Sequence, residues 1–306
     1  MNSSHSAVQP TYSDSPTEEE TSFVHQKLEE YNRAQTSGEY DEPGIEIGLV
    51  LKSPEGTVVG GITAGTMLRV MYLEALWVAK EYRKKGHGSR LVLQAERFGF
   101  EKGCIAVQTQ SFSFQAPAFY QKIGYHVLGI YDGYPDGITE YTLMKRLPSH
   151  HQAPRGGMRV PGDGASDGLS ITEPAAPEDL KIVHAGLYSF VDEHVGAERD
   201  NPGITIRLVA KDATGQVIGG LLAWTTLRNM ILDDVWVDER WRGRGIGTEL
   251  MTEAERIARD AGCIACQTYS FSFQSPQFCQ KLGYVAYGLS DGYPRPVTEF
   301  YFIKRF

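Results

Sequence analysis

Two short glycine-containing strings in this chain have the composition of phosphate-binding turns. They read Arg83-Lys84-Lys85-Gly86-His87-Gly88 and Arg242-Gly243-Arg244-Gly245-Ile246-Gly247, and the next residue is Ser89 or Thr248. A hydrophobic strand pattern precedes each string and an amphipathic helix pattern follows it. Small residues at such a turn let backbone N–H groups approach an anion, and the helix N-terminus adds the positive end of its dipole. Both strings therefore predict a pyrophosphate site.

An acidic residue precedes each string, within the hydrophobic strand. The two-residue period of a strand places Glu74, and likewise Asp233, on the face of the apolar residues two and four positions further along. A carboxylate there could take up an amine proton, or it could simply be a solvated acid at a strand end. Asp234 is predicted to lie on the opposite face. The apolar neighbours are Leu76 and Val78 in the first strand and Val235 and Val237 in the second.

The two strings belong to a long internal repeat. Residues 43–147 align without a gap to residues 202–306 at a shift of 159 positions, and about half of the paired residues are identical. Such a unit is far longer than the roughly 20–50 residues of a solenoid repeat. The sequence therefore predicts two duplicated domains, here called the first and the second repeat.

The elements predicted for each repeat alternate between strand and helix. A helix comes first, preceded in the second repeat by a short strand that is less obvious in the first. A hairpin, a strand, the glycine turn, an amphipathic helix, a strand, a short helix and two closing strands follow. This order indicates a mixed α/β fold. We expect a disordered tail over residues 1–16, a first domain over 17–147, a flexible linker over 148–168 and a second domain over 169–306. His25 and His184, paired on the first helices, are interpreted as exposed or packed helix residues.

Composition narrows the function classes. With 38 acidic and 30 basic residues the net charge is −8, and the signs are interspersed, which argues against nucleic acid and suits a cationic partner. The first twenty residues lack an apolar core of the kind that signal peptides carry, so we expect a soluble cytoplasmic protein. Cys263 and Cys266 form a C-x-x-C within a strand, where positions three apart point to opposite faces, so buried thiols are favoured over a metal site.

The two strings resemble the Q/R-x-x-G-x-G/A signature of the GNAT superfamily of acyl-CoA-dependent N-acyltransferases. The segment from Phe119 to Tyr125, with its tyrosine, lysine and glycine-aromatic pair, resembles a later family pattern. The resemblance implies two tandem domains, each a central mixed twisted sheet flanked by helices, with the fourth and fifth strands splayed around acyl-CoA.

The resemblance also implies roles for individual residues. Acetyl-CoA is the expected acyl donor, with no metal. Glu74 and Asp233 would act on the amine through water or by holding it, and Tyr120 would protonate the CoA thiolate. Cys279 replaces that tyrosine in the second repeat, so chemistry is better supported in the first. The expected cofactor-binding residues are Leu76, Val78, Arg83, Lys84, Lys85, Gly86, His87, Gly88 and Ser89, with Val235, Val237, Arg242, Gly243, Arg244, Gly245, Ile246, Gly247 and Thr248.

Aromatic and acidic residues after the fifth strand and in the last turn are candidates for the acceptor site. They would suit a cationic amine such as a polyamine, an aminoglycoside-like antibiotic or an aminated metabolite, although ordinary turn chemistry explains them equally well. An alternative function is a CoA sensor or scaffold in which one or both repeats are catalytically silent. We expect the repeats to pack as an intramolecular pseudo-dimer. The candidate residues are Phe112, Phe114, Asp132 and Tyr134, with Phe271, Phe273, Asp291 and Tyr293.

Overall fold

The computed structural model describes residues 10–36, 44–148, 168–196 and 203–306. Most of the predicted linker, and residues 1–9 of the predicted tail, lie outside the described residues.

Fourteen strands and six helices make up the described chain. The strands are β1 (Thr11–Ser13), β2 (Ile47–Lys52), β3 (Val58–Met67), β4 (Val70–Val78), β5 (Ala106–Phe112), β6 (His126–Tyr131), β7 (Glu140–Arg146), β8 (Ser170–Thr172), β9 (Thr205–Lys211), β10 (Val217–Thr226), β11 (Asn229–Val237), β12 (Ala265–Phe271), β13 (Val285–Ser290) and β14 (Glu299–Arg305). The helices are α1 (Glu18–Gln35), α2 (His87–Glu101), α3 (Pro117–Lys122), α4 (Pro177–Val195), α5 (Ile246–Asp260) and α6 (Pro276–Lys281). The mixed α/β order and the hairpins predicted from the sequence are confirmed.

All the strands form one continuous sheet that runs through both repeats. Its order is β1-β9-β10-β11-β12-β14-β13-β6-β7-β5-β4-β3-β2-β8, so the repeats are related by an approximate twofold axis between β13 and β6. At that junction Gly288 pairs with Gly129. A Cβ on Gly129 would lie 2.9 Å from the Gly288 Cα, so the two backbones approach this closely only without side chains.

The first strand and helix of each repeat are exchanged. β1 pairs with β9 of the second repeat, and β8 pairs with β2 of the first. Helix α1 packs on β9, β10 and β11, and helix α4 packs on β2, β3 and β4. Because the repeats are so similar, either sheet offers a matching surface for either helix.

Two predictions need correction as a result. Residues 10–16, placed in the disordered tail, contain β1, which hydrogen-bonds to the otherwise open edge of β9. Within the predicted first domain, residues 18–35 pack on the sheet of the second repeat, and residues 177–195 of the predicted second domain pack on the sheet of the first. Their positions in the sequence assigned α1 to the first repeat and α4 to the second, whereas each of them packs on the sheet of the opposite repeat.

Apolar residues cover the sheet on both faces. On one face α2 and α5 pack through Leu91 and Val92, and through Leu250 and Met251. On the other face Val24 of α1 and Val183 of α4 are fully buried. Helix α1 begins with a reciprocal capping box, in which the Thr17 hydroxyl accepts from the Glu20 N–H and the Glu20 carboxylate accepts from the Thr17 N–H.

Across the described ranges there is no helix that combines the length and the apolar character needed to cross a membrane. All four cysteines are buried free thiols. Among the residues described, no cluster of histidine, cysteine, aspartate and glutamate side chains could hold a metal ion.

Candidate functional site

A splay between two parallel strands opens each half of the sheet. Strands β4 and β5 pair from Val70 to Leu73, where Leu73 faces Thr109, and then separate. The equivalent pairing of β11 and β12 ends where Leu232 faces Thr268. At both points the threonine hydroxyl donates to the leucine carbonyl, with a distance of 3.1 Å in each repeat. The predicted splay of the fourth and fifth strands is confirmed.

A β-bulge lies just beyond each splay point and sets the direction of the acidic residues. The register of β3 with β4 passes from Leu73 to Ala75, so Glu74 is the extra residue, and Asp233 is the extra residue of β11. A bulge breaks the two-residue alternation of a strand.

This bulge corrects the faces predicted from the sequence. Leu73 and Leu76 contact the same apolar cluster under α2 although they are three positions apart. Glu74 therefore does not share a face with Leu76 and Val78. In the second repeat, Leu232 and Val235 likewise pack in one apolar cluster under α5 although they are three positions apart. Asp233 and Asp234 therefore lie together on the other face, whereas the uninterrupted period placed them on opposite faces.

Each signature string forms a tight turn at the start of a long helix. Gly86 and Gly245 both adopt φ of 89°, in the left-handed region, and α2 and α5 begin at the next residue. The first N–H groups of a helix have no acceptor within it, so they are available to an anion at this turn. The Arg83 side chain donates from Nε to the Val78 carbonyl over 2.7 Å, which ties the turn to the end of β4.

The string of the first repeat departs from this pattern at one position. Lys84 holds φ of 61°, and its counterpart Gly243 holds 75°. A residue with a Cβ is strained in the left-handed region, whereas glycine is not. The turn conformation is thus kept in both repeats, at a conformational cost in the first.

The exchanged helices reach both signature turns. The Arg242 guanidinium lies over the ring of Tyr31 of α1, 5.0 Å from its centre, and the Arg83 guanidinium lies 4.9 Å from the ring centre of Phe190 of α4. The Tyr31 hydroxyl also donates to the Phe273 carbonyl over 2.9 Å. Each turn is therefore completed by an aromatic residue from the other repeat, which sequence reasoning missed because it treated the repeats separately.

A cavity of about 660 Å³ connects the signature turn of the second repeat to the splay. Its walls include Gly245, Gly247 and Thr248 of the turn, Val235 and Val237 of β11, Cys279 of α6 and Phe271 at the end of β12. Helix α1 closes one side with His25, Leu28, Glu29, Tyr31 and Asn32. Met67 of the first repeat also lines it, so the cavity is built from both repeats.

Asp233 and Asp234 of β11 form an acidic part of the cavity wall. Although the Asp233 side chain is exposed at the mouth, desolvation by the walls and then the like charge of Asp234 raise its pKa to about 6. His25 lies 2.8 Å from Asp234, measured from Nδ1 to Oδ2, and 3.6 Å from Glu29. Its pKa is raised, first by the hydrogen bond to Asp234.

His25 was interpreted from the sequence as an exposed or packed helix residue, and the structure places it on the cavity wall. The recurrence of histidine at the same position of both repeats, as His184, was the available signal. Its partner Asp234 belongs to the second repeat, and the helical pattern around His25 could not predict a contact with a residue so distant in the chain.

Glu74 is the acidic residue at the matching position of the first repeat. Desolvation and then the nearby Glu46 raise the pKa of Glu74.

Tyr120 and Cys279 lie at equivalent places beside the two splay points. The Tyr120 hydroxyl shares a hydrogen bond with Thr109, and burial raises the pKa of Tyr120 to about 12. Burial raises the pKa of the Cys279 thiol to about 11. Both groups therefore keep their proton at neutral pH, and each could donate it.

The residues predicted for the acceptor site separate into two groups. Phe112 stacks on Phe114, with ring centres 5.3 Å apart, and Phe271 stacks on Phe273 in the same way. Phe271 lines the cavity, whereas Phe273, Asp291 and Tyr293 are not among its lining residues.

The turn residues lie at the junction between repeats. Asp291 pairs with Arg146 over 2.7 Å, and Asp132 pairs with Arg305 in the same manner. Tyr134 and Tyr293 are buried there, and Gln108 of the first repeat donates from Nε2 to the Tyr293 hydroxyl over 3.0 Å. Since the acidic and phenolic groups of these turns bind the opposite repeat, the structure gives them a role in joining the repeats.

The fold and the two glycine turns together are those of an acyltransferase with two similar repeats. The chain belongs to the GNAT family of acetyltransferases, because the model described as "Acetyltransferase (GNAT) family" matches residues 9–125 and 174–284. It is an N-acetyltransferase-type enzyme with two GNAT repeats.

The chain is also similar to individual acetyltransferases. The chain is 40% identical over 93 residues to a blasticidin-S acetyltransferase of Streptomyces morookaense, covering 30% of this chain and 68% of that protein. It is 24% identical over 124 residues to an acetyltransferase of Agrobacterium fabrum, covering 40% of this chain and 88% of that one. A solved acetyltransferase structure from Bacillus cereus has 30% identity and a TM-score of 0.43, covering 44% of this chain and 96% of that chain.

Proposed function

We propose that this enzyme transfers an acetyl group from acetyl-CoA directly to a primary amine of a small cationic molecule. The observation that carries the proposal is the cavity of the second repeat, which joins the signature turn to Asp233 and Asp234 in one space of about 660 Å³. A cavity of this size suits a small ligand rather than a folded protein.

The residues present fit an acyl-CoA donor. The left-handed Gly245 and the bare backbone of Gly247, where a Cβ would lie 3.2 Å from the Phe278 ring, form a cradle that side chains would fill. Gly245, Gly247 and Thr248 would hold the pyrophosphate, and Val235 and Val237 on the open edge of β11 would hold the pantetheine arm. When bound, the donor supplies a thioester, and transfer forms an N–C bond, breaks a C–S bond and moves one proton from nitrogen to sulfur.

The chain's own residues can manage the protons of this reaction. With a pKa of about 6, Asp233 is mostly ionised at neutral pH and can accept a proton from an ammonium group, directly or through water. Glu74 would do the same in the first repeat. Tyr120 and Cys279 hold a proton beside the splay, at the end where a leaving group needs one.

The acceptor class follows from charge and from relatives. Asp233, Asp234 and Glu29 line the cavity and would attract a cation. The relative from Streptomyces morookaense is named for blasticidin S, so blasticidin S is the first acceptor to examine, followed by the polyamine spermidine and the aminoglycoside kanamycin.

One observation favours a second candidate function for the second repeat. Cys279 stands where the first repeat has Tyr120, so the second repeat could bind acetyl-CoA without turnover and serve as a scaffold for the first. In that case Cys279→Ala would leave the acetylation rate unchanged.

The test has a binding arm and a turnover arm. Acetyl-CoA is titrated by calorimetry into the wild-type chain and into Gly86→Val and Gly245→Val, whose β-branched side chains are strained at φ of 89°. Two sites, each lost in its own variant, together with acetylation of a panel amine, would support the proposal. Binding without acetylation of blasticidin S, spermidine or kanamycin would favour the scaffold, and absence of binding would contradict both functions.

A further inference from the structure

The wall of the second-repeat cavity carries an ionisable pair that spans the two repeats. His25 comes from α1, at the start of the chain, and Asp234 comes from β11, yet the two side chains are 2.8 Å apart. The Asp234 side chain is 13% exposed and the His25 side chain 57% exposed, so the pair lies where the cavity meets solvent.

The exchange of helices forms this pair, and the bulge of β11 places Asp233 beside it. Val24, the neighbour of His25, is fully buried near Gly220 of β10, which fixes the position of the helix on the sheet. The bulge then places Asp233 on the same face of β11 as Asp234.

The first repeat contains half of this arrangement. His184 of α4 occupies the position equivalent to His25, but Ala75 stands where the second repeat has Asp234. The pair is therefore a specific feature of the second repeat, and His184 provides a matched control.

We propose that His25 is a positioning residue of the second-repeat site, which holds Asp234 and keeps Asp233 available as the proton acceptor. This inference rests on the proposed acetyl transfer. A protonated His25 compensates the charge of Asp234, so less like charge acts on Asp233, and the hydrogen bond keeps the Asp234 carboxylate turned towards the helix. The charged groups around the imidazole are Asp234 and Asp233 of β11 and Glu29 of its own helix.

The direction of the effect follows from these charges. The positive charge of His25 lowers the pKa of Asp233, against the desolvation and the Asp234 charge that raise it. Without this positive charge, Asp233 would stay protonated to higher pH, and an amine would find the acceptor blocked.

The experiment measures kcat/KM against pH in the Gly86→Val background, which leaves acetyl-CoA binding to the second repeat alone. The acceptor is the panel amine that this variant acetylates fastest. We expect His25→Asn to move the acidic limb to higher pH, with a loss of about threefold at pH 6 and little loss at pH 9. His25→Lys, which keeps the positive charge, should restore the limb, and His184→Asn should leave it in place.

Two further readouts separate the possible failures. In an NMR titration of the same protein, Asp234→Asn should lower the pKa of the His25 imidazole. The hydrogen bond to the Asp234 carboxylate is the main reason why this pKa is raised. If the Gly86→Val protein acetylates the amine and its acidic limb of kcat/KM against pH does not move in His25→Asn, the inference is overturned and the proposed function stands. Acetyl-CoA binding at the second repeat with no acetylation in the Gly86→Val background would overturn the inference together with chemistry in that repeat.

Discussion

The ring centre of Tyr31 lies 5.0 Å from the guanidinium carbon of Arg242, so the first helix of the chain completes the signature turn of the second repeat. The same relation joins Phe190 to Arg83. Neither contact lies within a single repeat, and both result from the exchange of α1 and α4.

These contacts predict that each exchanged helix supports acetyl-CoA binding at one turn. Tyr31→Ala should weaken binding at the second repeat about twofold to tenfold, because an arginine–aromatic contact contributes roughly 0.5–1 kcal/mol when exposed and more when desolvated. Calorimetric titration of the Gly86→Val variant measures that site alone. Phe190→Ala is the matched control, and an equal loss from both substitutions would contradict a local role.

Lys84 predicts a stabilising substitution. Its φ of 61° costs a side-chain-bearing residue about 1 kcal/mol that glycine does not lose, so Lys84→Gly should raise the thermal unfolding temperature. Gly243→Lys, the reverse change in the second repeat, should lower it by a similar amount. Scanning calorimetry of both variants checks the pair, and a lower unfolding temperature for Lys84→Gly would show that the lysine side chain has a stabilising contact.

Cys279 predicts a distinctive alkylation profile. Because burial raises the pKa of its thiol to about 11, the thiolate fraction should rise about tenfold per pH unit from pH 7 to 10, with no plateau near an ordinary cysteine pKa. Iodoacetamide labelling followed by peptide mass spectrometry measures the rate, and Cys279→Ala identifies the reactive site. Since Cys279 lines the cavity, acetyl-CoA should slow the labelling; a fast reaction at pH 7 would mean that the thiol is activated.

Glu140 predicts how stability depends on pH. It is buried at the junction, where Gln267 donates to it over 3.1 Å, and burial raises its pKa to about 7. An acid with a raised pKa binds more protons folded than unfolded, so stability is highest below its unfolded pKa and is lost as the pH rises towards 7.

In Glu140→Gln the fall in unfolding temperature between pH 5 and 8 should therefore be smaller than in the wild-type chain. Scanning calorimetry across that range measures the unfolding temperature at each pH. A pKa shift of this size corresponds to a change of a few kcal/mol in the free energy of unfolding. Glu299→Gln at the equivalent position is the companion variant, because burial raises the pKa of Glu299 as well. A parallel pH profile for Glu140→Gln and wild type would show that Glu140 is ionised in the folded protein.

Much of the fold could be predicted because its information is local. The amphipathic pattern of α5, the helix from Pro276 to Lys281 and the two glycine turns depend on residues close together in the chain. Because the two repeats are about half identical, each element could also be predicted independently from two related sequences. For the same reason, the splay and the turn that define the family were evident from motifs alone.

By itself the sequence determined the elements, the two repeats and the family, because strand period, turn glycines and motif spacing are properties of short segments. Only the tertiary structure decided that α1 packs on the other repeat and that a bulge places Asp233 on the same face as Asp234. It also decided that Asp132 and Asp291 join the repeats. These depend on long-range packing between two nearly equivalent surfaces, and on a register shift between strands, which no local pattern in the chain records.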